Sequence, residues 1–332
     1  MRVYIGVDIH PHQQTAAFLS DSGNVRTTTL HHNKDDVRDF YSQFSNATVG
    51  IEATGSYRWF ENMLFELGHE LLIGSAREIR LLVRSRNKND KLDAKHILEL
   101  LREDRFPAIW RRPQESNQVL ELLRLRHNIV RQRTMCLNRL QSIRIWFGLP
   151  KRKSSPPLLA EISGMDLPFS YALSRDVQLS LLGELNSKIA DVEKVLADLF
   201  RVDRRAQLLN SHFGVGYLTA LCFVHTIVDP ERFANKRKVV AYLGFDPVEE
   251  SSADKHRIGE ISKCGSKLLR FLLVQSAQAA CRRDPELKEF YSRVAGRRGT
   301  PKAKIAIARK LAIRLYKMLR YDISYAQLRG EA

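Results

Sequence analysis

The chain has 332 residues, of which 44% are hydrophobic and 27% charged, a composition typical of folded globular proteins and not of disordered ones. No apolar run approaches the roughly 20 residues that a membrane-spanning helix needs. The N-terminus MRVYIGVDIH lacks the pattern of a signal peptide, and the four cysteines form no CxxC spacing. These features argue against membrane, secreted, disulfide-rich and structural-zinc proteins, and they predict a cytoplasmic protein.

Charge is distributed unevenly along the chain. Lys and Arg number 54 against 37 Asp and Glu, a net charge of +17. Residues 1–100 hold 12 basic and 13 acidic residues, whereas residues 101–332 hold 42 basic and 24 acidic ones, a net charge of +18. A polyanion is the simplest partner for such a surface, because each neutralised phosphate releases counterions. We therefore expect nucleic-acid binding; a basic surface kept for solubility or for an acidic membrane is the alternative.

The first hundred residues alternate between strand and helix signals. Short apolar runs predict strands at 3–8, 14–19, 25–30, 48–51 and 70–73. Helix signals begin near residue 33, cover 57–67 up to Gly68, and start again near residues 76 and 90. A strand hairpin followed by strand–helix alternation predicts a mixed sheet flanked by helices. This is an α/β domain over residues 1–112, with the element order of a ribonuclease-H-like fold.

Residues 113–205 are predicted to form a helical coiled-coil arm and its linker. The helical, basic stretch 114–147 carries Leu123, Val130 and Leu137 at seven-residue spacing, as in a coiled-coil seam. The stretch 149–157 breaks helices, and a second long helix is predicted over 177–208. Two long antiparallel helices would form an arm; a face of an ordinary helical core is the alternative.

Residues 206–332 are predicted to be mainly helical. The segment 212–216 (HFGVG) lies between two helical stretches, as in a helix-hairpin-helix, which presents backbone N–H groups to a phosphate. A tight structural loop would have the same sequence. A helix predicted over 300–320 combines an apolar face with many lysines and arginines, which suits contact with a nucleic-acid backbone.

Four carboxylates lie where the predicted sheet edge would gather them. Asp8 and Glu52 each end a predicted strand, while Asp90 and Asp93 are three residues apart at a helix start and so face the same way. Converging carboxylates repel one another unless cations neutralise them, and hard oxygen ligands suit Mg²⁺. Two such ions can clamp a phosphodiester during in-line displacement. The alternative for each residue is a helix cap, a turn cap or an ion pair.

A polar loop is predicted around Ser251 and Ser252, within the stretch AYLGFDPVEESSADKHRIGEISKCGSKLLR (241–270). A serine hydroxyl among cationic side chains can attack a phosphodiester, because the cations stabilise charge on the transferring phosphoryl group. Serine pairs are common in loops, so the residues alone make this a weak indication.

The motifs GVDIH, IEATGSY, NKNDKLDAKHI, FGVGYLTA, FANKRKVVAYLGFDP and ISKCGSKLLR occur in this order through nearly the whole chain. In this combination the sequence resembles the DEDD transposases of bacterial insertion sequences, relatives of the Piv DNA invertase. The resemblance implies a RuvC-like first domain with Asp8, Glu52, Asp90 and Asp93 binding Mg²⁺, a coiled-coil insertion, and a C-terminal transposase domain with an essential serine.

The resemblance also implies a mechanism and partners. The serine attacks DNA and forms a covalent phosphoserine intermediate, in a homodimer that assembles to a tetramer and is guided by a structured bridge RNA, at the nucleoid of a bacterial cytoplasm. Counting back from Ser262 favours Ser251 as this serine, and counting forward from Pro247 favours Ser252. Ala253 stands where the family commonly has glycine.

Seven basic residues are predicted to contact nucleic acid: Arg124, Arg131, Lys255, Arg257, Lys263, Arg270 and Lys302. Other functions fit parts of the same pattern. A RuvC-like nuclease would cut DNA junctions with metal-activated water, an invertase would recombine DNA without a guide RNA, and a non-catalytic module would only bind nucleic acid.

Overall fold

The computed structural model describes residues 3–20, 23–53, 57–82, 89–151, 156–252 and 255–330, with side chains described there except at residues 34, 156, 249–252 and 255–258. The chain divides into two units, residues 1–111 (unit 1) and residues 112–332 (unit 2).

Unit 1 is organised around one five-stranded sheet. Its strands are β1 (Tyr4–Ile9), β2 (Gln13–Leu19), β3 (Val25–His31), β4 (Thr48–Glu52) and β5 (Glu70–Gly74). The spatial order is β3-β2-β1-β4-β5. The first three strands pair antiparallel, whereas β4 runs parallel to both β1 and β5. The predicted mixed sheet is confirmed.

Helices cover both faces of this sheet. They are α1 (Lys34–Ser42), α2 (Arg58–Glu66), α3 (Ala76–Leu82) and α4 (Asp90–Arg102). The apolar residues of β1, Ile5, Val7 and Ile9, share a buried cluster with residues of α1 and α2. The opposite face packs on α4, where Ala17 meets Ala94 and Leu98. Because side chains alternate along a strand, Gly6 and Asp8 belong to the face that α4 covers.

Unit 2 is mostly helical, as predicted. Its helices are α5 (Gln114–Trp146), α6 (Pro156–Ser163), α7 (Phe169–Val202), α8 (Arg204–Asn210), α9 (Tyr217–Ile227), α10 (Lys236–Tyr242), α11 (Lys267–Ala280), α12 (Pro285–Arg298), α13 (Thr300–Tyr321) and α14 (Tyr325–Arg329). Its core is centred on α9 and α13, whose inward residues are almost fully buried.

The long helices α5 and α7 pack side by side and run antiparallel. Near one end Arg126 pairs with Glu193 at 2.6 Å, and toward the other Leu140 and Leu182 share a small buried cluster. Helix α7 begins eight residues before the predicted start and ends at Val202. Asp203 then accepts a hydrogen bond from the backbone N–H of Ala206 and caps α8, so the single helix predicted over 177–208 is wrong. The division into arm and C-terminal domain stays a prediction.

A two-stranded hairpin interrupts the helices where the sequence predicted a polar loop. Strands β6 (Pro247–Ser252) and β7 (Lys255–Ile261) pair antiparallel, with Ser251 opposite His256 and Ser252 opposite Lys255. The loop prediction is wrong. The β-branched residues Val248, Ile258 and Ile261 favour strands, but Pro247 and the polar residues around them weaken this signal in the sequence. Among the described residues, no helix is long and apolar enough to cross a membrane.

Candidate functional site

The position of α4 on the sheet sets the geometry of the acidic site. A Cβ atom on Gly6 would lie 2.3 Å from the backbone oxygen of Ala94, and one on Gly50 would lie 2.8 Å from a side-chain carbon of Leu101. Gly6 therefore needs to be glycine, because its contacts are with backbone atoms that cannot move aside, whereas the contact at Gly50 is with the end of a side chain that can shift. The absence of side chains at these two positions allows α4 to lie directly against β1 and β4.

The first turn of α4 carries two of the predicted carboxylates. Asn89 caps the helix by accepting a hydrogen bond from the Lys91 N–H at 3.1 Å, and Asp90 and Asp93 follow in the first turn. Carboxylates are favourable there because the N-terminus of a helix carries partial positive charge. The cap fixes where the helix begins and so where Asp90 stands.

Asp8 and Asp90 come together through this packing, and His10 joins them. The ligand atoms of these three side chains all lie within 4.8 Å of one another. His10 Nε2 lies 3.1 Å from Oδ2 of Asp8 and 3.6 Å from Oδ1 of Asp90. His10 lies within the GVDIH motif, yet sequence reasoning missed it. The two-residue strand period, which aligns it with Asp8, is the signal that would have found it.

Asp93 and Glu52 lie around this group but are not members of it. Asp93 is close enough to act electrostatically on Asp8. Glu52 ends β4, and the register that pairs Val7 with Ile51 places it next to Asp8 on the neighbouring strand. The structure thus brings three of the predicted carboxylates within electrostatic reach and places the fourth at the same sheet edge.

The electrostatics at Asp8 favour a cation. Burial raises the pKa of the Asp8 carboxyl above its ordinary value; His10 lowers this pKa, and the carboxylates of Asp90 and Asp93 raise it. A group in these surroundings is costly to ionise alone, and a divalent ion would remove the repulsion. Two carboxylates and an imidazole are also a donor set that divalent metals accept, so these residues fit a metal ion.

The hairpin with the two serines has a well-anchored base. Gly244 has a φ of 72°, and a Cβ there would lie 2.0 Å from the backbone oxygen of Cys264. Ser262 donates its N–H to the oxygen of Asp246 at 2.8 Å, and Arg270 donates to the backbone carbonyls of Leu243 and Cys264. The glycine of YLGFDP and the arginine that ends ISKCGSKLLR therefore hold the start of β6 against the end of β7.

The residues predicted to contact nucleic acid have different surroundings in the structure. The Arg270 head group is bound to backbone carbonyls, Lys263 pairs with Glu260, and Arg124 pairs with Glu121 at 3.0 Å. Arg131 and Lys302 are exposed on α5 and α13.

Four further predicted residues lie on the hairpin. Lys255 and Arg257 lie on β7, and their side chains, like those of Ser251 and Ser252, are outside the described part of the structure.

Two protein-family models match the chain. Residues 5–143 match a DEDD transposase model of the IS110 type, and residues 206–292 match a model described as "Transposase IS116/IS110/IS902 family". The first match spans the sheet, α4 and all four predicted carboxylates; the second spans the hairpin and both serines. Together the matches cover more than half of the chain and define the class of protein, a DNA-cutting transposase.

Known relatives agree over most of their length. A "Probable family 20 transposase" of Pseudomonas aeruginosa is 29% identical over 87% of this chain and 88% of its own. The "Transposase for insertion sequence element IS1111A" of Coxiella burnetii is 27% identical over 83% and 79%, and that for IS1328 of Yersinia enterocolitica is 28% identical over 71% of each chain. The chain belongs to the IS110/IS116 family of DEDD transposases, enzymes of insertion-sequence mobility.

Proposed function

We propose that the protein cuts and rejoins DNA with Mg²⁺ held by Asp8, Glu52, Asp90 and Asp93 and with a serine of the β6–β7 hairpin as nucleophile. The observation that carries the metal part is the contact of α4 with Gly6, which brings Asp90 to Asp8. The strand order β3-β2-β1-β4-β5 supports a RuvC-like domain of the ribonuclease-H type.

The acidic residues would hold the ion, which would supply positive charge beside the reacting phosphate. A bound divalent cation polarises a phosphoryl oxygen and neutralises charge as it develops in the transition state. The half-buried Asp8 fixes the centre of the site through β1, while Asp90 and Asp93 approach from α4. In this proposal Glu52 reaches the same ion, or a second one, from the end of β4.

The serine step forms one bond and breaks one. The Oγ atom of Ser251 attacks phosphorus and forms a phosphate ester, while the bond from phosphorus to the leaving deoxyribose oxygen breaks. The serine proton passes to a base or to water, and the leaving oxygen takes up a proton. The hairpin register supports this step, because Lys255, His256 and Arg257 stand opposite Ser252, Ser251 and Glu250. Ser252 is the second candidate.

A structured guide RNA and a tetramer complete the proposal. The net charge of +18 over residues 101–332 supports a large polyanionic partner. If base pairing to an RNA supplies the specificity, the protein needs only to contact the backbone of the nucleic acids and to recognise their shape. The acidic site of one subunit would act with the serine of another, so that a monomer does not cut DNA.

The test combines a covalent adduct with mixed subunits. The protein is purified from cells that carry its whole insertion sequence, the bound RNA is sequenced, and donor and target DNA are designed from it. Mass spectrometry of the trapped protein–DNA adduct should give a phosphorylated peptide modified at Ser251. Ser251→Ala should lose the adduct, while Ser252→Ala should keep it. A mixture of Asp8→Asn and Ser251→Ala chains should recover recombination.

Three outcomes would contradict parts of this proposal. Cutting without any adduct, and retained by Ser251→Ala, would indicate a metal-dependent nuclease that uses water. An adduct at Ser252 would show that Ser252, and not Ser251, is the nucleophile. Random RNA that is lost at high salt would exclude a guide RNA and favour an invertase that reads DNA itself.

A further inference from the structure

His10 is the third member of the group it forms with Asp8 and Asp90, and it is not part of the four-carboxylate pattern. It follows Asp8 by two residues, just past the end of β1, and its side chain lies on the same side as that of Asp8. Its backbone N–H donates to the Gln13 oxygen at 2.9 Å, which closes a two-residue turn between β1 and β2. This hydrogen bond therefore holds the backbone of His10 at the turn of the hairpin.

The distances around His10 fit a shared cation. Its Nε2 atom lies 3.1 Å from Oδ2 of Asp8 and 3.6 Å from Oδ1 of Asp90. Two ligands at right angles around an ion, each about 2.1 Å from it, lie about 3 Å apart. One ion bound by all three side chains therefore requires only small side-chain movements.

A simple ion pair explains this arrangement less well. The charged groups that face His10 are Asp8 on β1 and Asp90 on α4. A proton on Nε2 points toward one acceptor, so the imidazole can satisfy only one of the two carboxylates at a time. A cation accepts a lone pair from each of the three atoms together.

A nitrogen ligand changes which metal such a site prefers. Mg²⁺ takes oxygen ligands and seldom imidazole, whereas the affinity of nitrogen-containing sites rises from Mn²⁺ along the first-row transition metals. Replacing one oxygen ligand by imidazole therefore weakens the preference for Mg²⁺ relative to Mn²⁺.

We propose that His10 Nε2 is a direct ligand of the divalent cation held by Asp8 and Asp90, and that this nitrogen makes the site bind Mn²⁺ more tightly than Mg²⁺. The inference rests on the metal site of the proposed function. It adds a residue and a metal preference to that site.

Mn²⁺ itself is the probe, because it is paramagnetic. The full-length protein is titrated with Mn²⁺ and the bound ion is followed by electron paramagnetic resonance, with pulsed measurements of coupling to ¹⁴N. Competition with Mg²⁺ gives the ratio of the two affinities. The variant is His10→Gln, whose amide oxygen can reach the place of Nε2. The matched control is His12→Gln, at an exposed histidine of the adjoining turn.

The wild-type protein should bind Mn²⁺ with ¹⁴N coupling typical of a ligated imidazole. This coupling should disappear in His10→Gln and in protein made with ¹⁵N-histidine, and remain in His12→Gln. The ratio of Mn²⁺ to Mg²⁺ affinity should fall in His10→Gln, because an amide oxygen replaces the nitrogen ligand and Mg²⁺ prefers oxygen. Circular dichroism checks that both variants fold.

Two results would overturn the inference, and they differ in what else they affect. If Mn²⁺ binds, is lost in Asp8→Asn and shows no ¹⁴N coupling, the acidic site stands and His10 is not a ligand. If the wild-type protein binds no Mn²⁺, both the role of His10 and the proposed metal site are wrong.

Discussion

The backbone of Gly6 in β1 lies so close to Leu98 of α4 that a Cβ atom at residue 6 would come within 2.3 Å of the Leu98 nitrogen. This contact decides where α4 begins relative to the sheet. Since Asp90 is the first residue of α4, the same contact decides how far Asp90 lies from Asp8. A glycine without any chemistry of its own thus positions the acidic site.

Gly6→Ala should destabilise unit 1 and weaken metal binding. The added methyl group meets backbone atoms, which cannot rotate away, and overpacking of this kind costs about 1–3 kcal/mol or more. We expect faster hydrogen exchange in peptides of β1 and α4, and a lower Mn²⁺ affinity because α4 is displaced from Asp8.

The matched control for this change is Gly183→Ala, in the exposed middle of α7. A Cβ atom there meets nothing within 4 Å. Alanine should stabilise that helix by up to about 1 kcal/mol. If peptides of β1 and α4 exchange hydrogen equally fast in the Gly6→Ala and wild-type proteins, the close approach of α4 to Gly6 is not needed for the stability of unit 1.

Gly214→Ala should destabilise unit 2 through packing and backbone strain. Gly214 lies in the turn between α8 and α9 with a φ of 78°, and a Cβ atom there would lie 2.4 Å from the backbone nitrogen of Ala280 in α11. Alanine at such a position combines a left-handed backbone with a collision. We expect a loss of several kcal/mol in the free energy of unfolding, measured by urea titration.

Gly216→Ser separates packing from phosphate contact in the same turn. Gly216 is the N-cap of α9 with an extended backbone, and a Cβ atom there meets nothing within 4 Å. Serine is a good N-cap and glycine is only slightly poorer, so stability should stay equal or rise by a few tenths of a kcal/mol. If the turn also contacts a DNA phosphate through its backbone, Gly216→Ser should weaken DNA binding without unfolding the protein. Unchanged DNA binding would show that the turn serves only in packing.

His212 should make unit 2 less stable in weak acid. Its ring is buried and lies 4.0 Å from the Tyr325 ring, centroid to centroid. Burial lowers the pKa of His212 from 6.5 to about 4. The unfolded chain therefore binds the proton more tightly, so stability is full above pH 6.5 and falls as the pH drops toward 4. The loss is on the order of 3 kcal/mol.

His212→Asn should remove this pH dependence. The Asn amide can replace the hydrogen bond from Nδ1 to the Phe213 oxygen, which is 2.9 Å long. The measurement is urea unfolding between pH 7 and pH 4. The pKa of Asp284 is lowered to about 2, although burial alone would raise it, so protonation of Asp284 affects stability only at lower pH than protonation of His212. If the free energy of unfolding of the wild-type protein is the same at pH 7 and at pH 4, protonation of His212 does not destabilise the protein.

Most of unit 1 could be predicted from the sequence because its signals are local. Short apolar runs mark β1 and β4, Gly68 follows the last turn of α2, and Asn89 caps α4. The grouping of Asp8 with Asp90 follows from the same pattern, since strand ends meet at one sheet edge. The position of His10 follows from the same pattern, because it lies two residues after Asp8.

The parts that could not be predicted depend on contacts distant in sequence. The β6–β7 hairpin is held by Gly244 against Cys264 and by Arg270, and none of these contacts appears in a periodic pattern. Arg144 lies within the basic stretch of α5, yet it is fully buried and pairs with Glu161 at 3.0 Å. A count of positive charges cannot distinguish such a residue from one that faces nucleic acid.

The basic surface of the long helix pair belongs to α5 and not to α7. Helix α5 carries six arginines, all but the buried Arg144 at least partly exposed, and two glutamates, whereas α7 carries four basic and five acidic residues. Arg131→Ala, at an exposed position of α5, should weaken binding to duplex DNA and structured RNA, and lower the slope of log affinity against log salt by about 1. Lys188→Ala on α7, where Lys188 lies 3.6 Å from Asp191, is the matched control and should leave the slope unchanged. Equal slopes for all three proteins would place the nucleic-acid contacts elsewhere in unit 2, with Lys302 on α13 the next residue to replace.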